Sequence, residues 1–120
     1  NPFVVWGSPD VVRDFIYVKD VVKGMLLILE KGESMRPYNL GSGEKTTIGD
    51  IVDNILEITS NHFKTPTVEF DTTKPTTIPF KLSDTSRLET ELDFSTDYSL
   101  KDALKETIDW YYEEMIASYS

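Results

Sequence analysis

The sequence predicts a mixed α and β fold, with short strands and three main helices, and three observations point to it. Apolar residues recur at helical spacing after Asp20, after Thr47 and after Ser99. Between these stretches lie brief β-type runs bounded by Gly, Pro, Asp and Ser clusters. No window approaches the roughly 18 to 20 uninterrupted apolar residues of a membrane span. With 120 residues the chain is read as one domain, residues 1–120, large enough for a single core.

Phe3 to Trp6 is a β-type run, broken by the turn cluster "GSPD". Arg13 to Val18 reads as a mostly buried strand, and Asp20 opens a helix. Val22, Met25, Leu26 and Leu29 follow the i, i+3, i+4, i+7 spacing of one helix face. Val21 and Ile28 widen that stripe, which predicts burial on more than one side. Gly32 takes the C-terminal cap position. Tyr38 to Leu40 predicts a short strand and "GSG" a tight turn. Thr47 caps a second helix, with Asp50 in capping-box position. Ile48, Ile51, Val52, Ile55 and Leu56 form its stripe, and it runs to about Thr59. Val68 to Phe70 is another strand, residues 71–79 a loop, and Phe80 to Leu82 a further short strand. Asp84 caps a helical turn holding Leu88 and Leu92. Ser99 caps the third long helix, striped by Leu100, Leu104, Ile108, Tyr111 and Met115.

Composition narrows the function classes. A net charge of −9 argues against nucleic acid, whose phosphates require clustered Lys and Arg. The absence of cysteine excludes disulfides and thiolate chemistry, and one histidine, His62, excludes a multi-histidine metal cage. Neither a membrane partner nor a signal peptide is predicted, and cytoplasmic localisation is the expectation. The opening "NPFVVWG", without an initiator Met, reads as an excised domain.

"GSGEKT" lacks the spacing of both the phosphate loop and the dinucleotide fingerprint, so it reads as a strand-to-helix turn needing backbone freedom. No Ser-His-Asp set assembles around His62, which sits in a polar stretch. Trp110, Tyr111 and Tyr112 read as core plus an exposed ring. Arg13, Lys74 and Lys81 each lie at a strand end or in a proline-defined loop, flanked by apolar residues. Either they are solvent-reaching charges, or they converge into a diphosphate-sized cationic pocket.

In order and spacing, "VVWG", "RDFIYVKDVVKGMLLILEK", "YNLGSGEKTTIGDIVDNI", "FDTTKPTTIPFKLSDTSRL" and "SLKDALKETIDWY" resemble one family over Val4 to about Tyr112. They are similar to the C-terminal, substrate-binding part of the extended short-chain dehydrogenase/reductases. These are NAD(P)-dependent sugar-nucleotide epimerases, dehydratases and reductases with a Rossmann-type fold. Trp6 seven residues before Arg13, with "KPTTIPFK", is most similar to the GDP-L-fucose synthase-like members.

The resemblance implies that Arg13 contacts the nucleotide diphosphate and that Trp6 lies at the nucleotide-sugar site. It also implies that Lys81 approaches the substrate phosphates and that Asn39 helps shape the nucleotide site. Lys74 replaces an arginine, and Thr77 an aspartate, of the "RPGD" version in UDP- and dTDP-sugar members, which favours a GDP-sugar as partner. The N-terminal glycine fingerprint and the Tyr-x-x-x-Lys pair are missing. The chain alone is therefore expected to be inactive and to bind no cofactor, as one half of a homodimeric parent that uses NAD or NADP. In relatives the strand at Phe15 to Val18 and the helix after it pack on the Rossmann part, so the separate chain should expose apolar surface. A non-catalytic interaction or regulatory domain that kept this fold is the alternative.

Overall fold

The computed structural model describes residues 2–76 and 78–116. Thr77, given a role above, lies outside the described residues. The order is β1 (Phe3–Trp6), β2 (Val12–Arg13), α1 (Val18–Lys31), β3 (Thr46–Thr47), α2 (Ile48–Thr59), β4 (Val68–Asp71), α3 (Ser86–Leu92) and α4 (Leu100–Tyr111). A π-helical turn, Tyr112–Ile116, prolongs α4. The mixed α and β class expected from the sequence is the one observed.

Two small sheets organise these elements. β1 and β4 pair in parallel, from Phe3 opposite Val68 to Trp6 opposite Asp71. β2 and β3 pair antiparallel, with Val12 opposite Thr47 and Arg13 opposite Thr46. The caps are those the sequence announces. Thr47 Oγ1 accepts from Asp50 N at 3.0 Å, and Asp50 Oδ2 accepts from Thr47 N at 2.9 Å, closing the capping box of α2. Ser99 Oγ accepts from Asp102 N at 3.1 Å at the head of α4. Leu88, Leu92 and Phe94 form a small buried core, against which Ile16, Leu27, Ile28, Tyr38 and Leu40 pack.

Several expectations are corrected. The strand expected over Arg13 to Val18 stops at Arg13, because the Asp14 carboxylate turns to the amides of Ser42 and Gly43. Helix α1 already begins at Val18; Asp20 lies in its first turn, buried, accepting from Asp97 N and Tyr98 N. Tyr38 to Leu40 forms no strand: no ladder joins it to another described segment. Phe80 to Leu82 contributes only a parallel bridge from Phe80 to Val12. At α3, Thr85 holds the cap position, and the Asp84 carboxylate takes the Ser86 N–H at 3.1 Å.

The largest correction concerns α1. Its predicted stripe is exposed: Val22 by 49%, Met25 and Leu26 by 60%, Leu29 by 83%. Only the opposite side, through Leu27 and Ile28, meets the core. The whole chain shows the same deficit. It exposes 8653 Å², where a compact monomer of 13.7 kDa exposes about 6,600 Å². Its radius of gyration is 17.3 Å and its shortest extent 19 Å, against a radius of about 14 Å for a compact 120-residue domain. The molecule is a slab with one apolar helix face uncovered. Such a face drives association. The separate chain should therefore sediment as self-associated species, and Leu26→Glu with Leu29→Glu should return it to monomer. A monomer before substitution would contradict this.

Acid should also loosen the slab. Asp50, Asp71, Asp84, Glu91 and Glu106 are all held below the ordinary carboxylate range. The first cause is a bond from the side chain of Thr47, Thr73, Ser86, Arg36 and Lys19, respectively. A folded value below the unfolded one stabilises at neutral pH and is lost as pH falls from about 4 through the folded values. The urea midpoint should drop steadily across that window, and less steeply in Thr47→Ala, which removes the bond to Asp50. Equal slopes would discount the cap.

Candidate functional site

A cleft opens where the two parallel strands end. In open parallel sheets, loops converge at the carboxyl ends of the strands, and ligands sit there. Trp6 ends β1 and Asp71 ends β4. Gly7 and Ser8 leave β1, Pro75 and Thr76 come from the loop after β4, and Val11, Arg13 and Ile48 close the cleft from the second sheet and α2. The space amounts to 250 Å³.

Trp6 presents its ring to this space and is 70% exposed, costly for so large an apolar group unless something covers it. Lys74 Nζ stands 5.5 Å from the centre of that ring. The same ammonium lies 3.9 Å from Asp71 Oδ2. Arg13 is half-buried, and its Nη1 donates to the Val12 carbonyl at 2.7 Å. That carbonyl also accepts from Lys81 N at 3.1 Å, which sets the Lys81 backbone beside the Arg13 guanidinium. The structure thus brings Trp6 and Arg13 into one cleft, sets Lys74 beside the Trp6 ring and anchors the Lys81 backbone next to Arg13.

Asn39 is elsewhere. It lines a separate polar cleft with Pro37, Asp84, Ser86 and Arg87, where its Nδ2 donates to the Asp84 carbonyl at 3.1 Å. Arg87 Nη1 donates to the Pro37 carbonyl at 2.7 Å in the same place. These bonds tie the extended segment 37–40 to the start of α3.

Sequence reasoning missed what surrounds the cleft. Asp14 grips the glycine turn: its Oδ1 accepts from Ser42 N at 2.8 Å and from Ser42 Oγ at 2.6 Å, and its Oδ2 from Gly43 N at 3.2 Å. The acid and the turn were both visible, but nothing in the sequence joined them. A second cavity of 160 Å³ lies between the head of α1, α2 and α4, lined by Phe15, Tyr17, Ile51, Tyr98 and Leu104 among others. Beside it Lys19 pairs with Glu106, while the rings of Tyr17 and Tyr98 meet edge-on at 4.7 Å. Burial, followed by the Glu106 contact, pushes the Tyr17 hydroxyl up. This cluster latches α1 to α4 and offers no nucleophile with an oriented base. Among the described residues no group of acids and histidine could hold a metal ion.

Comparison with known proteins gives a consistent picture. The profile of the family described as GDP-mannose 4,6 dehydratase matches residues 1–107. GDP-L-fucose synthase 1 of Arabidopsis thaliana is 33% identical over 108 residues, covering 90% of this chain and 32% of that protein. Among solved structures, UDP-glucuronic acid 4-epimerase from Bacillus cereus, in complex with UDP-glucuronic acid and NAD, superposes with a TM-score of 0.77. It is 27% identical and covers 93% of this chain and 35% of that one. The dTDP-glucose 4,6-dehydratase of Bacillus anthracis, in complex with NAD, superposes with a TM-score of 0.80 at 22% identity, a likeness of fold. It covers 94% of this chain and 35% of that one. The chain spans about a third of the length of the curated relatives it matches.

The glycine turn at 41–43 does not fit a dinucleotide phosphate. At the glycine turn, the amides a phosphate would use are bonded to Asp14 instead. A Cβ on Gly41 would stand 2.4 Å from Asp14 Oδ2, so that carboxylate already fills the space. No redox step is assigned to these residues.

Local charge at the cleft is directly measurable. Trp110→Phe leaves Trp6 as the single tryptophan of two. Iodide should then quench its fluorescence more than caesium does, despite the net charge of −9, and Lys74→Ala should shrink the difference. Preferential quenching by caesium would show that the cleft is not locally cationic.

Proposed function

Since the chain belongs to the GDP-mannose 4,6-dehydratase family of extended short-chain dehydrogenase/reductases, we propose that it is the sugar-nucleotide-binding part of an NAD(P)-dependent enzyme. In this reading the cleft at the ends of β1 and β4 holds the nucleotide diphosphate. The observation that carries it is that Arg13 and Trp6 line one cleft, with the Lys74 ammonium over the Trp6 ring, in a strongly acidic chain. Phosphate oxygens suit the planar fork of an arginine and the point charge of a lysine. Trp6 supplies a flat apolar surface for the sugar or base. Lys81, beside Arg13, is the further cation. The relatives called GDP-L-fucose synthase favour a GDP-sugar as ligand.

Nicotinamide binding and hydride chemistry belong, in this reading, to another part of the polypeptide. The uncovered face of α1 supports it: Val22, Met25, Leu26 and Leu29 form a ready surface for a packed layer. So does the extended segment 37–41, which pairs with no described strand. Together they are what one half of a two-layer α/β domain leaves open when described without its neighbour.

Calorimetric titration of the full-length polypeptide with GDP-mannose tests the proposal. Arg13→Ala should weaken binding by about 10- to 100-fold, the loss of one or two charge-assisted hydrogen bonds. Unchanged affinity would remove the diphosphate clamp and leave a non-catalytic interaction domain as the better account.

A further inference from the structure

We infer that Asp14 is the positioning residue of the phosphate clamp, acting on Arg13 through the glycine turn at 41–43. The inference rests on the diphosphate-binding reading of the cleft.

β2 is two residues long, Val12–Arg13, and Asp14 follows it directly. Successive side chains of an extended segment point to opposite faces. Arg13 accordingly faces the cleft, and Asp14 faces the turn. The turn is shaped around that carboxylate. Its backbone N–H groups at 42 and 43 converge as they do in anion-binding concavities, and the anion they hold is internal. Gly43 has φ +72°, a conformation that lets its N–H face the acid. Gly41 has no Cβ where Asp14 Oδ2 would stand 2.4 Å away.

The turn then leads straight back to Arg13. Thr46, 7% exposed, is the residue paired with Arg13 between β2 and β3. Residues 42–46 therefore bridge from the Asp14 carboxylate to the backbone partner of Arg13, closing a small ring. Inside such a ring neither end shifts without the other. Arg13 must also stay on the Val12 carbonyl, shared with Lys81 N. A relaxed ring would displace the guanidinium relative to Trp6, and misplacement on the order of 1 Å is enough to spoil a clamp.

The ring also separates two roles for Asp14. If it merely stabilises the fold, its removal weakens ligand binding whether or not Arg13 is present. If it positions Arg13, its removal matters only while Arg13 is there. A double-mutant cycle on the full-length polypeptide, read by calorimetric titration with GDP, distinguishes these. Asp14→Asn keeps the shape but sets an amide donor against the turn amides. It should raise the Kd for GDP about five- to tenfold alone and less than about twofold in the Arg13→Ala background. Its effect on the unfolding midpoint should be the same in both backgrounds. An equal loss of affinity with and without Arg13 would overturn the inference. So would an unchanged affinity in Asp14→Asn while Arg13→Ala binds weakly, and the clamp would then stand. Full binding in Arg13→Ala would instead remove the clamp and this inference with it. Should Asp14→Asn fail to fold, Ser42→Ala runs the same cycle. It deletes the hydroxyl that donates to Asp14 Oδ1 and accepts from Glu44 N, and should cost about two- to threefold, again only while Arg13 is present.

Discussion

Asp20 is 1% exposed at the head of α1, and much of the slab hangs on its carboxylate. Burying a charge costs several kcal/mol unless hydrogen bonds replace water. Asp97 N at 2.8 Å and Tyr98 N at 3.3 Å supply them, from the segment that leads into α4. Lys23, one turn along α1, donates to the Ser95 carbonyl and to Asp97 Oδ1, each at 2.7 Å. α1 is thereby fixed to the entry of α4 by polar bonds. Among the described residues, the buried apolar ones, Leu88, Leu92 and Phe94, lie on its other flank toward α3. With so small a core, directional bonds set the angles that packing would set in a larger domain.

Other aspartates repeat the device at shorter range. Asp14 holds the glycine turn, Asp71 takes the Thr73 N–H at 3.0 Å, and Asp84 takes the Ser86 N–H at 3.1 Å. In a chain of net charge −9 these acids are occupied in ordering loops. They supply structure, while Arg13 lines the cleft and Lys74 stands over its Trp6 ring. An acidic composition and an anionic ligand are compatible because charge acts locally, within about 8 to 10 Å at ordinary salt.

The legible parts of this sequence were those whose signal is local. Thr47 with Asp50, and Ser99 before Leu100, announce helix starts because both partners lie within one turn. The stripe Val22, Met25, Leu26, Leu29 announced a helix, yet periodicity says only that a face is apolar, not what covers it. Tyr38 to Leu40 has strand-forming residues, but a strand exists only beside another. The union of Asp14 with Ser42 was illegible because 28 residues separate them and each has an ordinary local explanation. Arg13, Trp6 and Lys74 came forward through family resemblance. Composition alone left the basic residues open between solvent and pocket, and geometry is what gathers them at one strand end.

Lys74 poses the remaining physical question, since it faces both the Trp6 ring and Asp71 before any anion arrives. Exposed lysine–aspartate pairs contribute little, and a 3.9 Å separation is loose. Asp71 does not depend on it. The depression of its carboxyl arises first from the Thr73 hydroxyl, next from the Thr73 amide, and last from Lys74. An ammonium drawn toward a phosphate would leave Asp71 still bonded to Thr73 and uncover the Trp6 face in the same movement. Neither a stranded carboxylate nor a buried unpaired charge results. Under the proposed function, Lys74 is thus a group that a diphosphate would recruit at little cost, since Asp71 keeps its bonds to Thr73 and the Trp6 ring stays open to the rest of the ligand.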